Sequence, residues 1–228
     1  LAYHLINYFL SKDEQFKYDK ENNRINDKNN SFILTLNNAH PNFYLIDILN
    51  EKKNIDIDQI RKMITYSNKS SFNNRPKYVL IDNIESLNLN SANALLKIIE
   101  EPSDSLFFIL IHDNNIDILP TIKSRCLTFN IRLSFDQSIS ISSAIIKKNI
   151  FDLFNIDLMN YYFSPGKYIS IINFCKKEKI NLNEFNLSSF IFFLIDKKLY
   201  KKNPLIKNIL LDYMELYIFK IYKLTNTK

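Results

Sequence analysis

The 228-residue chain predicts an α/β fold: a parallel sheet with crossover helices, followed by a wholly helical part. Three observations lead there. Between Asn42 and Ile131, short runs rich in apolar and β-branched residues alternate with stretches of helical periodicity, the signature of βαβ units. From about Ser134 the strand-like runs fade and long helical patterns take over, which places a domain boundary there. The composition, 46% hydrophobic with 24% charged residues, is that of a globular chain able to bury a sizeable core.

Leu1, Leu5, Ile6, Phe9 and Leu10 give the apolar face of a first helix. The polar stretch from Ser11 to Ser31, crowded with Lys, Asp, Glu and Asn, reads as a connector. "FILTL" (32–36) and "NFYLIDI" (42–48) have the make-up of short strands. Asp56 and Asp58 put negative charge at the start of a helix through Ile60, Met63 and Ile64, where the helix dipole favours it. "SSFNNRPK" is a loop. A strand from Tyr78 to Ile81 follows, then a helix from about Asn90 to Glu101 and the strand "LFFILI" (106–111). A short helix near Leu119 to Ser124 leads to the strand-like "CLTFNI" (126–131). In the second half, Pro165 and Gly166 mark a turn into a helix from Lys167 to Lys177. Leu205 to Leu224 is apolar nearly all round, with Asn208, Asp212 and Glu215 at helical spacing. So narrow a polar stripe predicts a helix packed on more than one side, inside a bundle or at a subunit interface.

Bulk properties set limits on function. A net charge of +6 and a pI near 9.1 permit contact with nucleic acid or an acidic partner, although a solvated surface accounts for them as simply. Cys126 and Cys175 lie far apart, and His4, His40 and His112 are scattered. Neither a disulfide framework nor a metal centre is therefore predicted, and a reducing cytoplasm suits the chain. No apolar run approaches the ~20 residues that span a bilayer, and no basic-then-apolar leader opens the sequence. The chain begins on Leu1 rather than Met and enters a helix at once, so a preceding segment is expected.

The chemistry concentrates in "YVLIDNIESLNLNSANALLKIIEEP" (78–102). Its apolar run delivers Asp82 to the carboxyl end of a parallel strand, where open α/β sheets bind ligands; an acid there holds Mg²⁺ through water or caps a turn. The next position, where a nucleotide hydrolase would want a second acid, is Asn83, which cannot accept a proton near neutral pH and so cannot serve as a general base. Glu85, two positions away, faces elsewhere. Ala92, Leu95, Leu96 and Ile99 are set to bury a helix against the sheet and Pro102 to stop it, leaving Lys97, Glu100 and Glu101 for solvent or a neighbour. Further on, "LPTIKSRC" holds Arg125 in a chain rich in Lys and poor in Arg. A planar, permanently charged guanidinium suits the bridging of phosphate oxygens. Cys126, apolar and beside a strand, reads as core.

In this order, "VLIDNIESLNLNSANALLKIIEEP", "FFILI" and "LPTIKSRC" resemble the AAA+ subunits of the bacterial DNA polymerase III clamp loader, the delta-prime subunits above all. The resemblance is strong over about residues 42–129 and weak in the flanks. It implies a RecA-like AAA+ domain over 1–133 without its N-terminal phosphate-loop part, a helical lid over 134–184, and the start of a helical collar over 185–228. It implies that Arg125 is an arginine finger acting in trans, with Ser124 and Cys126 positioning it, that Asp82 is a degenerate Walker B acid, and that Asn83 stands where the catalytic acid would be. No metal and no other cofactor is implied. Several features depart from active relatives. The chain carries no glycine-rich phosphate loop, and the stretch before "HPNFYLI" lacks the four zinc-binding cysteines of some relatives. His112 matches a sensor position poorly, and Lys167 in "SPGK" is given no catalytic role. The expected function is a clamp loader subunit without ATPase activity of its own, serving as scaffold and finger donor within a DNA-directed DNA polymerase assembly. The alternative is a gamma/tau-like ATP-hydrolysing motor whose phosphate loop is missing here. Expected partners are the gamma/tau motor subunits and the delta subunit, with the sliding clamp and primed DNA reached through the complex in the cytoplasm, and no membrane.

Overall fold

Three strands, β1 (Phe43–Ile46), β2 (Lys77–Ile81) and β3 (Leu106–Leu110), lie side by side in chain order and run parallel. The computed structural model describes residues 1–49, 54–114 and 116–226. Around the sheet are α1 (Ala2–Leu10), α2 (Asn30–Leu36), α3 (Ile57–Ser67), α4 (Leu89–Glu100) and α5 (Pro120–Lys123). Parallel neighbours cannot be joined by a tight turn, and α3 and α4 are the two crossovers. The register places Phe43 opposite Tyr78 and Tyr78 opposite Phe107.

Every residue of β2 is buried, and its side chains alternate between two cores as strand geometry requires. Val79 and Ile81 join Ile60 and Met63 of α3 and Ala92 and Leu95 of α4. Tyr78 and Leu80 meet Phe43 of β1 and Ile6 and Leu10 of α1 on the other face. The ring of Tyr78 is stacked between Phe9 and Phe107, at centroid distances of 5.7 and 5.6 Å.

Lys77, the first residue of β2, is buried although charged. Its Nζ donates to the carbonyls of Tyr66 (2.9 Å), Ser67 (3.3 Å) and Lys69. Tyr66 and Ser67 lie in the last turn of α3, where carbonyls run out of helical donors, and Lys69 lies just beyond it; the Tyr66 carbonyl also accepts from the Lys69 N–H at 3.2 Å. One ammonium thus ties the end of the first crossover to the start of the central strand. The front of α3 is held by Asp56 and Gln59, whose side chain accepts from the Asp56 N–H at 3.0 Å, the reciprocal arrangement of a capping box.

Two expected strands are absent. "FILTL" lies in α2, because Asn29 Oδ1 accepts from the Phe32 N–H and the Glu14 carboxylate accepts from the N–H groups of Asn30 and Ser31. With its first amides satisfied, the segment follows the caps rather than its β-branched composition. "CLTFNI" has strand-like alternation but no strand assignment, and Leu127, Phe129 and Ile131 are all exposed. An extended segment becomes a strand only beside a free edge, and no described strand pairs with it.

The chain forms two compact units, Leu1–Phe129 and Asn130–Lys228. The second contains α6 (Phe135–Ile146), α7 (Pro165–Glu178), α8 (Leu187–Asp196), α9 (Leu199–Lys202) and α10 (Pro204–Asn226). Its core draws on residues either side of 184, including Ile139, Phe163 and Tyr168 together with Phe190, Leu194 and Tyr213. Along α10, Ile206, Ile209, Leu210, Tyr213 and Leu216 are buried. The polar stripe partly faces its own unit: Asp212 pairs with Lys167, and Glu215 accepts from the Tyr161 hydroxyl at 3.4 Å. Leu211, Ile218, Phe219, Tyr222 and Leu224 are exposed instead.

The Lys77 contacts give a direct test. Lys77→Met keeps the buried stem and removes the ammonium donor from the Tyr66, Ser67 and Lys69 carbonyls; a loss of about 1–3 kcal/mol is expected for buried groups that lose a charged partner. It is read as a lower denaturant midpoint with an unchanged m-value.

Candidate functional site

Asp82 directly follows β2, and its N–H donates to the Ile46 carbonyl at 2.9 Å, carrying the ladder one bond past the strand. Asn83 then turns the chain into the left-handed region, with φ 55° and ψ 49°. Among side-chain-bearing residues, Asn enters this region with the least penalty. The turn lets Asp82 Oδ1 accept from the Asn83 N–H at 2.9 Å, and Asn83 Nδ2 donate to Asp47 Oδ1 at 2.8 Å. Asn83 therefore ties together the carboxyl ends of β1 and β2.

Three carboxylates, Asp47, Asp82 and Glu85, meet electrostatically at this end of the sheet. Burial chiefly, and then the charges of Asp47 and Glu85, push the Asp82 carboxyl above the usual carboxylate range, against the opposing pull of the Asn83 N–H. Burial, followed by the charges of Asp82 and Asp47, raises the Tyr3 hydroxyl of α1 as well. Among the described residues, no group of three acidic, His or Cys side chains is placed to hold a metal ion. The chemical character of this end is a carboxyl that takes up a proton more readily than usual, beside an Asn fixed by its backbone and by Asp47.

The second cluster is built on α5. Pro120 opens this helix at a position where a missing N–H costs nothing. Ile122 anchors it in the sheet core, and the next turn is closed by Ser124 N–H to the Pro120 carbonyl (2.9 Å) and Arg125 N–H to the Ile122 carbonyl (3.1 Å). Cys126 packs half-buried against the same core, and burial pushes its thiol up, so it is an anchor rather than a reactive group. Ser124 Oγ donates to the Thr121 carbonyl at 3.1 Å. Arg125 Nη1 donates to that carbonyl at 2.9 Å and reaches Ser124 Oγ at 3.4 Å. Its Nη2 lies 2.6 Å from Oε1 of Glu100, the last residue of α4.

Ser124 and Arg125 are thus in contact and Cys126 supports them from the core, whereas Asp82 and Asn83 belong to a separate cluster at the end of β2. Glu100 is the participant that sequence reasoning left to solvent or a neighbour, without naming Arg125 as its partner. Twenty-five positions separate it from Arg125, and no local periodicity links a helix end to a later turn. Of the two other residues weighed, Lys167 is ion-paired with Asp212, and His112 Nδ1 lies 3.1 Å from the Asp113 carbonyl.

A model of the family described as DNA polymerase III, delta subunit, matches residues 5–134 of this chain. The chain belongs to this family. Both clusters, from Asp82 and Asn83 to Ser124, Arg125 and Cys126, fall inside the matched span. The chain is similar to the DNA polymerase III subunit delta' of Pseudomonas aeruginosa, 38% identical over 39% of this chain and 27% of that protein. It is 34% identical to the delta' subunit of Buchnera aphidicola subsp. Schizaphis graminum over 44% of this chain and 30% of that protein. The DNA polymerase III subunit gamma of the same organism is 37% identical over 48% and 30%. These matches span less than a third of the length of the relatives. Among solved structures, a gamma subunit-related protein of Thermotoga maritima aligns with TM-score 0.40 at 28% identity, over 50% of this chain and 40% of that one. In this family member the parallel three-stranded sheet with its crossover helices carries the α/β assignment directly. No helix among the described residues is long and apolar enough to cross a membrane.

Two substitutions test the strand-end cluster. Because the folded state binds a proton at Asp82 more tightly than the unfolded chain does, ionisation costs stability as pH rises from the unfolded value of 3.8 through the raised folded one. Asp82→Asn is therefore expected to raise the melting temperature at about pH 7, with the gain fading once both states are protonated below the ordinary carboxylate range. A gain that persists unchanged in acid would contradict this. Asn83→Glu places a longer side chain at positive φ, loses the Asp47 bond and adds a carboxylate to three others. It is expected to cost about 1–2 kcal/mol from the backbone alone, and Asn83→Gly less, in parallel denaturant titrations.

Proposed function

We propose that this chain works as a non-hydrolysing subunit of the clamp loader of the replicative DNA polymerase, a scaffold that offers Arg125 to the ATP site of a neighbouring motor subunit. The observation that carries this reading is the presentation of Arg125. Its guanidinium stands at the end of a short helix pinned by Ile122 and Cys126, within the span that matches the family, and it is 37% exposed. A firm base with an accessible, permanently charged fork is what a group acting on another subunit's phosphate needs. Asn83 supports the non-hydrolysing part, since it is held by Asp47 and cannot take a proton from water. The exposed apolar side of α10 supports assembly, because Leu211, Ile218, Phe219 and Tyr222 fall on neighbouring helical positions that another helix could cover. The proposed partners are gamma/tau motor subunits and the delta subunit, with the sliding clamp and primed DNA engaged by the whole complex in the cytoplasm. The resemblance to gamma subunits, 37% identical to one of them, favours a second reading as an ATP-hydrolysing motor; hydrolysis by the intact subunit alone would establish it.

ATP hydrolysis builds negative charge around the transferred phosphoryl group, and a guanidinium supplied across an interface stabilises it. In well-studied GTPases such a finger is worth about 10³ to 10⁵ in rate. Only one of the several ATP sites of a clamp loader would face this subunit, so the total loss is partial. Arg125→Ala is expected to lower the DNA-stimulated ATPase and the clamp-loading rate of the reconstituted complex while folding and assembly stay normal. Arg125→Lys should restore little, because a point charge lacks the fork. Assembly with an unaltered loading rate would reduce Arg125 to a surface ion pair.

A further inference from the structure

Glu100 ends α4, where the helix dipole already presents negative charge. A carboxylate there has the wrong sign for the helix, so α4 gains nothing from it. Its partner is Arg125. Glu100 Oε1 takes Nη2 at 2.6 Å while the Thr121 carbonyl and Ser124 Oγ take Nη1. The two nitrogens with which a guanidinium grips a phosphate are thus both engaged within the chain. The ion pair is 37% and 46% exposed, a setting in which such pairs contribute little. A phosphate offers the same fork two oxygens and more charge, so it can displace the carboxylate.

We propose that Glu100 is the positioning residue of Arg125, an intramolecular stand-in for phosphate that keeps the guanidinium folded back on α5 until a neighbouring subunit's nucleotide displaces it. This rests on the reading of Arg125 as a finger. The pair then acts as a competitor: only the fraction of subunits whose arginine has left Glu100 is competent, and the apparent affinity of the neighbouring site for its nucleotide falls by that fraction.

Glu100→Gln keeps the shape and removes the charge. In the free protein, modification by phenylglyoxal, followed by mass spectrometry of the peptide carrying Arg125, reads whether the pair holds in solution. Arg125 is expected to react about two- to fivefold faster in the variant, the range in which exposed ion pairs act. Arg61, whose own partner is Asp58, should react at the unaltered rate. In the complex reconstituted with its motor subunits, kcat/KM for ATP is expected to rise by a similar factor at low salt. The difference from the unaltered protein should close as added salt screens the pair, a convergence that a merely structural role would not produce. An unchanged modification rate, or a fall in kcat with Glu100→Gln, overturns the latch and leaves the finger standing on the loss seen with Arg125→Ala. If Arg125→Ala itself leaves the ATPase unaltered, the finger reading fails and the latch with it.

Discussion

The burial of β2 on both faces is the constraint from which the α/β unit follows. A strand covered on both sides reads as a continuous apolar run, and Tyr78–Ile81 is one. Its neighbours run parallel, so the chain must travel the length of the sheet between strands, and α3 and α4 are the form that travel takes. The positions of both candidate clusters are consequences. Asp82 stands at the carboxyl end because that is where a parallel strand releases the chain. Glu100 stands beside the Arg125 turn because α4 ends there, at its twelfth residue.

A second theme is the use of asparagine. With one glycine in the chain, and that one not at positive φ, left-handed positions fall to other residues, and Asn23, Asn38, Asn73, Asn74 and Asn83 occupy five of the nine described. Asparagine also caps helices and 3-10 turns: Asn29, Asn88, Asn149, Asn155, Asn181 and Asn186 each accept from a backbone N–H at the start of an element. The same short amide performs both tasks because it bonds to nearby backbone and tolerates αL. This bears on Asn83. Its presence has a conformational cause, the turn after β2, alongside the chemical consequence that position 83 itself offers no base.

The two clusters also differ electrostatically in a way that suits different roles. At the end of β2, like charges crowd a partly buried carboxyl and raise it, and the surrounding bonds stay within the chain. At the Arg125 turn a permanent positive charge rests on a carbonyl, a hydroxyl and one carboxylate, all near the surface. The first arrangement holds strand ends together, and the second lies over the core that Ile122 and Cys126 join.

The sequence by itself determined the parallel α/β character, the place of Asp82 at a strand end, the helix ending at Pro102 and the grouping of Ser124, Arg125 and Cys126, because each is written in local periodicity or adjacent residues. Tertiary structure decided the rest. "FILTL" became helical because Glu14, more than a dozen positions earlier, caps it, and "CLTFNI" formed no strand because strand formation needs a neighbouring edge as well as a pattern. Asp212 and Glu215 found their partners in Lys167 and Tyr161. Glu100 met Arg125 only once two crossovers had been laid against one sheet. Pairings between charges far apart in sequence have no periodicity to betray them; they follow from where packing ends each element.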